Sequence, residues 1–513
     1  MKKYTYPALF FAGAVLFTAC KRDIVERTDN VAALAPSNQD LEARSWKTVL
    51  LSSAEEIPVA APEAATSAAY KSELTEIRNL QKNISSEQAK KIAYWGAGGV
   101  LRWNETLREL VAKYNLPPYQ NADGSYPIPS AANPFSYPLF PFANPPYSAR
   151  AYAYISSAQY DALIAAWAYK QKYNRAAPAK NDNDIQAKLP VSDLPSYPSE
   201  AAVLAGVTAE MMKLLFPTEV DNINAKAKEQ ELSMKIAGLA TQSDIDAGEA
   251  LGRAVAQKFI ARAKTDRAGA AVGNPEAWKK LETDCIARGE KPWYSLELPK
   301  RPPMLPGFGN VKSLVIDEDA LIALRPGPPP STGSEQMKKE TELAYKYIQN
   351  PTKENIRITQ FWADGIGTST PPGHWNSIAA EDFITKHYSE VRWARNLATL
   401  NIALMDAGII CWNTKYYYFN PRPTQMMAAV KTLTGIPNFP SYISGHATFS
   451  GAASEVLATI LPENANKYRS MAQEAAHSRV VSGIHYESDS DVGLHVGENV
   501  GKLVVKRTLN ENM

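Results

Sequence analysis

The chain is predicted to be all-α, built as two related helical bundles. Three observations carry this. Apolar residues recur at three- and four-residue steps, as in Trp95, Val100, Leu107, Leu110 and Val111. No series of alternating apolar and polar residues marks a substantial sheet. And the sequence repeats itself. Shifted by 245 positions, residues 197–256 align with 442–501 without a gap at 16 identities in 60, and 161–178 with 406–423 at 7 in 18. Two such bundles can each bury the apolar face the other leaves open.

Each segment has its own physical signature. In residues 1–20, Lys2 and Lys3 precede an apolar run from Pro7 to Ala19, too short to span a bilayer. The run ends Leu16-Phe17-Thr18-Ala19-Cys20 and resembles a bacterial lipoprotein signal. That implies cleavage before Cys20, lipid on its thiol and a body held in the bacterial cell envelope. Residues 21–61 are expected to form a tether. Residues 62–291 form the N-terminal bundle, interrupted by a Pro-, Tyr- and Phe-rich loop near 122–147. Residues 292–332 are a Pro-rich connector with Pro302-Pro303 and Pro328-Pro329-Pro330, and 333–513 are the C-terminal bundle.

Composition narrows the chemistry. Of 513 residues 45% are hydrophobic and 49 are aromatic, enough for a large core. Lys plus Arg (55) nearly balances Asp plus Glu (53), so nothing points to a nucleic-acid partner. Any anion site must be a local cluster. Only Cys20, Cys285 and Cys411 occur, with no C-x-x-C pair, which argues against thiolate zinc and iron–sulfur sites. Whether Cys285 and Cys411 pair is open at this level.

Three clusters in the C-terminal bundle carry chemistry. They are Lys415-x6-Arg422-Pro423, then Ser444-Gly445-His446, then Ser478-Arg479-x5-His485-x3-Asp489. Lys415, Arg422 and Arg479 bring three positive charges and forked donors suited to a tetrahedral oxyanion. The Ser444-Gly445 backbone, at a helix start, is expected to add N–H groups. His485 and Asp489 stand four apart, so on a helix they share a face and the carboxylate can fix the imidazole tautomer. His446 is placed to move a proton on the other side of the bound centre.

These motifs, in this order, resemble the signatures of a superfamily. It comprises type 2 phosphatidic acid phosphatases, bacterial acid phosphatases and vanadium-dependent haloperoxidases. The stretch from Phe439 to Phe449 and the Trp412 three residues before Lys415 look most like the haloperoxidase branch, although Ile443 stands where the family usually has proline. The resemblance implies a helical haloperoxidase/acid-phosphatase fold and an enzyme that oxidises halide with hydrogen peroxide. It implies that Lys415, Arg422, Ser444, Gly445 and Arg479 hold the oxygens of vanadate, with His485 coordinating vanadium and His446 as acid–base. Trp412 and Phe439 would flank the peroxide and halide region, with Lys415 acting on the peroxide. The alternative within the superfamily is a phosphatase without vanadate. There His485 attacks phosphorus in a phosphate monoester and His446 protonates the leaving oxygen. A third reading, from a different class, is a non-catalytic surface binding protein. The implied partners are small-molecule substrates and no nucleic acid, with the membrane reached only through Cys20. A homo-oligomer is compatible with all of this.

The repeat qualifies these roles. In the N-terminal copy Arg422, Gly445, His446, Arg479 and His485 become Ala177, Glu200, Ala201, Met234 and Ala240. One active site per chain is therefore expected. Trp167, Lys170, Ser199 and Asp244 persist there, so Trp412, Lys415, Ser444 and Asp489 are expected to be partly structural. A divalent cation at His485 and Asp489 would be repelled by the three cationic side chains. His477 and His495 read as surface or packing residues. His374, in Pro371-Pro372-Gly373-His374-Trp375-Asn376, is a candidate for the pocket entrance.

Overall fold

The computed structural model describes residues 31–116, 121–125, 127, 133, 143–297 and 300–509. The signal segment and Cys20 lie outside the described residues, as does most of the aromatic loop near 122–147. No strand occurs among the described residues. The helices α1 (Ala68–Gln81), α2 (Ser86–Gly96) and α3 (Gly99–Tyr114) come first. They are followed by α4 (Pro145–Tyr173), α5 (Pro178–Asn181), α6 (Glu200–Leu215), α7 (Val220–Ile236) and α8 (Gln242–Ala263). Then come α9 (Pro275–Ala287), α10 (Glu318–Ile322), α11 (Glu335–Gln349), α12 (Lys353–Phe361) and α13 (Thr370–Phe383). The last set is α14 (Glu390–Tyr418), α15 (Pro423–Met426), α16 (Gly445–Ile460), α17 (Ala465–Val481) and α18 (Glu487–Thr508). Every bound from α4 to α8 plus 245 gives the bound of its counterpart from α14 to α18.

Local chemistry sets these ends. Ser85, Ser334, Thr352, Ser389 and Ser444 each accept a first-turn amide on the side-chain oxygen. Pro145, Pro178, Pro275 and Pro423 open helices where a missing N–H costs nothing. The 29-residue α4 and α14 are buried on nearly every side, which fits their lack of a polar face.

One continuous apolar core runs from Ala43 to Val505. Among the described residues the core shows no break between 62–291 and 333–513. A buried amide chain also joins the halves: Asn104 donates to Asn376 (2.8 Å), Asn376 to Asn401 (2.6 Å) and Asn401 to Ser156 (3.3 Å). Helices α16 and α18 cross so closely that a Cβ on Gly497 would stand 2.1 Å from the Thr448 carbonyl oxygen. At the matching crossing of α6 and α8, a Cβ on Gly252 would stand 2.2 Å from the Val203 carbonyl. Backbone contact of this kind needs glycine.

Two segments differ from expectation. From residue 31 the tether is a strap bound to the body. The Asp161 carboxylate accepts the amides of Val49 (2.7 Å), Leu50 (2.7 Å) and Leu51 (3.0 Å), and Asp40 pairs with Arg392. A buried carboxylate without a cation needs such donors, and the strap supplies them. The Pro-rich connector also packs on the C-terminal half. Its Met304 carbonyl accepts Trp412 Nε1 (3.1 Å) and Tyr416 Oη (2.6 Å), and Gly327 accepts Tyr442 Oη (2.7 Å).

Candidate active site

Five helix ends bring the three sequence clusters together. Lys415 sits in the last turn of α14 and Arg422 caps α15. Ser444 caps α16, which opens with Gly445 and His446, and Arg479 lies in the last turns of α17. Gly483, with φ +76°, ends α17 in the left-handed region, and the chain turns back so that His485 faces Arg422. Lys415, Arg422, Ser444 and Asp489 are fully buried, and Arg479 and His485 are at most 2% exposed.

Each cation is half used by the protein. Arg422 donates Nε to the Phe439 carbonyl (3.0 Å) and Nη1 to that of Ile484 (2.7 Å), and Nη1 lies 3.3 Å from His485 Nε2. Its Nη2 has no partner. Arg479 donates Nη1 to the Trp362 carbonyl, and its buried Nε has no partner. Lys415 Nζ donates to the carbonyls of Pro440 (2.8 Å) and Ser441 (2.8 Å) and lies 5.0 Å above the Phe439 ring. Trp412 and Phe439 form a tilted aromatic wall with centroids 5.0 Å apart.

The histidines are set in one state. His485 Nδ1 lies 2.9 Å from Asp489 Oδ2, whose carboxylate also takes the Ser441 hydroxyl and the Tyr486 amide (3.2 Å). A carboxylate on Nδ1–H leaves the Nε2 lone pair facing the cations. Burial, then Arg422, pushes the His485 pKa well below the ordinary imidazole value, so the ring is neutral. Burial also raises Asp489 to about 6, against the Ser441 hydrogen bond. His446 Nε2 is 3.5 Å from Asp364 Oδ2. Burial and the Arg479 charge still lower His446 to about 4. Burial brings Lys415 down to about 7. Two arginines and a lysine thus face two carboxylates, with unpaired N–H groups on both arginines. Buried donors in this state fit a tetrahedral oxyanion such as vanadate or phosphate, which would satisfy them and offset the charge.

The geometry amends the sequence reading at four points. The Ser444 amide is spent on the Asp489 carbonyl (2.9 Å), so the Ser444-Gly445 backbone offers an oxyanion only the Gly445 N–H. Ser444 itself is the α16 cap. His485 stands before α18, and its contact with Asp489 is made across the start of that helix. Two further groups join the candidate site. Ser441 shares the Asp489 carboxylate, and Asp364 reaches both His446 and His374. A lone Asp and a lone Ser carry no spacing signal, and only the fold brings them in. Cys285 and Cys411 are buried free thiols. His477 packs on Tyr347, and His495 is exposed beside Glu498.

The N-terminal half shows which roles are structural. Lys170 donates to the Pro195 carbonyl as Lys415 does to Pro440, and Ser199 caps α6. Asp244 accepts the Thr241 amide (2.7 Å), so Asp489 caps a helix as well as holding His485. Where an oxyanion would lie, Glu200 Oε2 stands 3.8 Å from Lys170 Nζ. A small cavity of about 130 Å³ remains there, lined by Trp95, Trp167, Lys170, Glu200 and Glu390.

Anion binding should carry a pH signature. In the free site Lys415 is half neutral near pH 7, and a bound dianion restores its charge, so binding takes up a proton above that pH. The Kd of a non-titrating tetrahedral dianion such as tungstate should rise between about pH 7 and 9, by at most about tenfold per unit. Calorimetry on Lys415→Met should show a flatter slope. An unchanged slope would remove Lys415 from the electrostatics of binding.

Residues 396–512 match the model of the PAP2 superfamily. The vanadium chloroperoxidase of Curvularia inaequalis is 30% identical over 128 residues, 19% of this chain and 21% of that protein. The match spans about a fifth of that relative's length. A crystal structure described as the first bacterial vanadium-dependent iodoperoxidase superposes with a TM-score of 0.55 at 22% identity. The superposition covers 71% of this chain and 91% of that one. The all-helical fold is therefore that of a vanadium haloperoxidase.

Proposed function

With a PAP2-superfamily segment at residues 396–512, we propose that the chain is a vanadium-dependent haloperoxidase oxidising halide with hydrogen peroxide. The observation that carries this is the pair of unpaired arginine donors, Arg422 Nη2 and Arg479 Nε, in the same pocket as a neutral His485 whose Nε2 faces Arg422 Nη1 at 3.3 Å. Vanadate, when bound, supplies a Lewis-acidic centre at which peroxide becomes an oxidant toward halide. His485 Nε2 would hold the metal, and the two arginines and the Gly445 amide would take its oxygens. His446, the more exposed of the two site histidines with a side chain 17% accessible, stands where substrate arrives. With Nε2 toward Asp364, its Nδ1 is the atom that accepts the proton of the incoming peroxide. Burial of the cage and the Trp412–Phe439 wall keep bulk water out and favour substrates as small as peroxide and halide.

The second reading, a phosphomonoesterase, draws on the same pair. Asp489 on Nδ1 leaves Nε2 able to attack phosphorus, and His446 would protonate the leaving oxygen. Only one copy of the repeat carries the cage, and we attribute the other to a duplicated unit that kept the packing role.

Two assays on the purified protein test this. Peroxide consumption that needs both halide and vanadate, with phosphate competing against vanadate, is the expected result. Ester hydrolysis without vanadate and without any peroxide turnover would transfer the function to the second reading. Inactivity in both would leave a binding protein.

A further inference from the structure

We propose that His374 is a positioning residue for the acid–base His446, acting through Asp364. The inference rests on the reading of His446 given above. His374 Nδ1 and Asp364 Oδ1 are 3.0 Å apart, while Asp364 Oδ2 is the oxygen nearest His446 Nε2. One carboxylate thus stands between two imidazoles. His374 is held between two rings, 4.8 Å from Trp362 at 33° and 4.9 Å from Phe361 at 68°. That seat leaves its Nδ1 directed at the carboxylate.

The loop bearing Asp364 is fixed at other points. Asn115 at the end of α3 donates to the carbonyls of Gly365 (2.9 Å) and Thr368 (3.1 Å). The Trp362 carbonyl takes Arg479 Nη1, and the Trp362 indole donates to Glu474 (2.9 Å). Asp364 itself has φ +43°, a left-handed conformation that aspartate tolerates better than most residues. What the backbone leaves free is the rotation of the carboxylate about its own bond. His374 removes that freedom by fixing Oδ1, which sets Oδ2 toward His446. Burial raises the Asp364 pKa, but the His374 hydrogen bond and the His446 imidazole 3.5 Å from Oδ2 outweigh it and hold it below the usual carboxylate range. An ionised carboxylate at Nε2 selects the Nε2–H tautomer of His446 and leaves Nδ1 as the base. The other ionisable groups facing His446 are Arg479 and His485.

The test uses two variants of the whole protein. His374→Phe keeps the aromatic seat and deletes the donor, and His374→Asn keeps an N–H at the Nδ1 position. The Phe variant should lose roughly 10–100-fold in kcat, the usual range for an outer-shell orienting group, with KM little changed. At neutral pH the ¹⁵N signals of the His446 ring should pass from a single Nε2–H tautomer to a mixture. The Asn variant should recover both. Full kcat in His374→Phe, or an unchanged tautomer in that variant, overturns the proposal. If the wild-type protein turns over neither peroxide nor ester, the functional reading falls. The ring spectra still decide whether His374 sets His446.

Discussion

Replacing His485 with alanine is expected to lower turnover by about 10³-fold or more, the scale seen when the central group of a catalytic unit is removed. Its Nε2 is a neutral imidazole lone pair facing Arg422, kept neutral by burial and by the Arg422 charge, with Nδ1 committed to Asp489 and Ser441. No neighbour can replace it. Lys415 is tied to two carbonyls and Arg422 to the backbone of Phe439 and Ile484. The same variant should still bind a tetrahedral anion, more weakly, because Arg422 Nη2 and Arg479 Nε remain. Steady-state rates and vanadate titration separate the two effects. Turnover within tenfold of wild type would remove His485 from its central role and undo the functional proposal.

The second large effect lies in packing. Gly497→Ala should destabilise the fold by at least about 3 kcal/mol, the upper part of the range for overpacking. The reason is that the new methyl meets backbone, not a movable side chain. It would stand 2.1 Å from the Thr448 carbonyl oxygen and 2.9 Å from the Thr448 carbonyl carbon. Relief requires α16 and α18 to separate. Those helices carry Ser444, Gly445 and His446 at one N-terminus and Asp489 at the other, so anion affinity should fall with stability. Gly333→Ala, with nothing within 4 Å of the new atom, serves as the control. Thermal unfolding with and without tungstate reads both. Equal melting temperatures for the two variants would refute the argument.

Much of the site was legible because each motif is short in sequence and sits at a helix end. Arg422, His446, Arg479 and His485 were separable from structural residues by their joint loss in the N-terminal copy. Lys415, Ser444, Trp412 and Asp489 were not, and the structure shows that each makes a structural contact. Lys415 ties down the 440–441 loop, Ser444 and Asp489 cap helices, and the Trp412 indole binds Met304. The strap from residue 31 looked like a tether because its composition is polar. Its backbone amides satisfy the buried Asp161 carboxylate, and its own buried Asp40 pairs with Arg392.

By itself the amino-acid sequence determined the all-helical class, the recurrence at 245 residues and the choice of Arg422, His446, Arg479 and His485 as the candidate site. These are written in periodicity and spacing, which act along the chain. Only the tertiary structure decided which donors stay free for an anion, that Ser444 spends its amide on Asp489, and that Asp364 and Ser441 join the site. Those facts depend on distances between segments tens to hundreds of residues apart. The close crossing of helices at glycines and the shared core set such distances, and no local pattern encodes them.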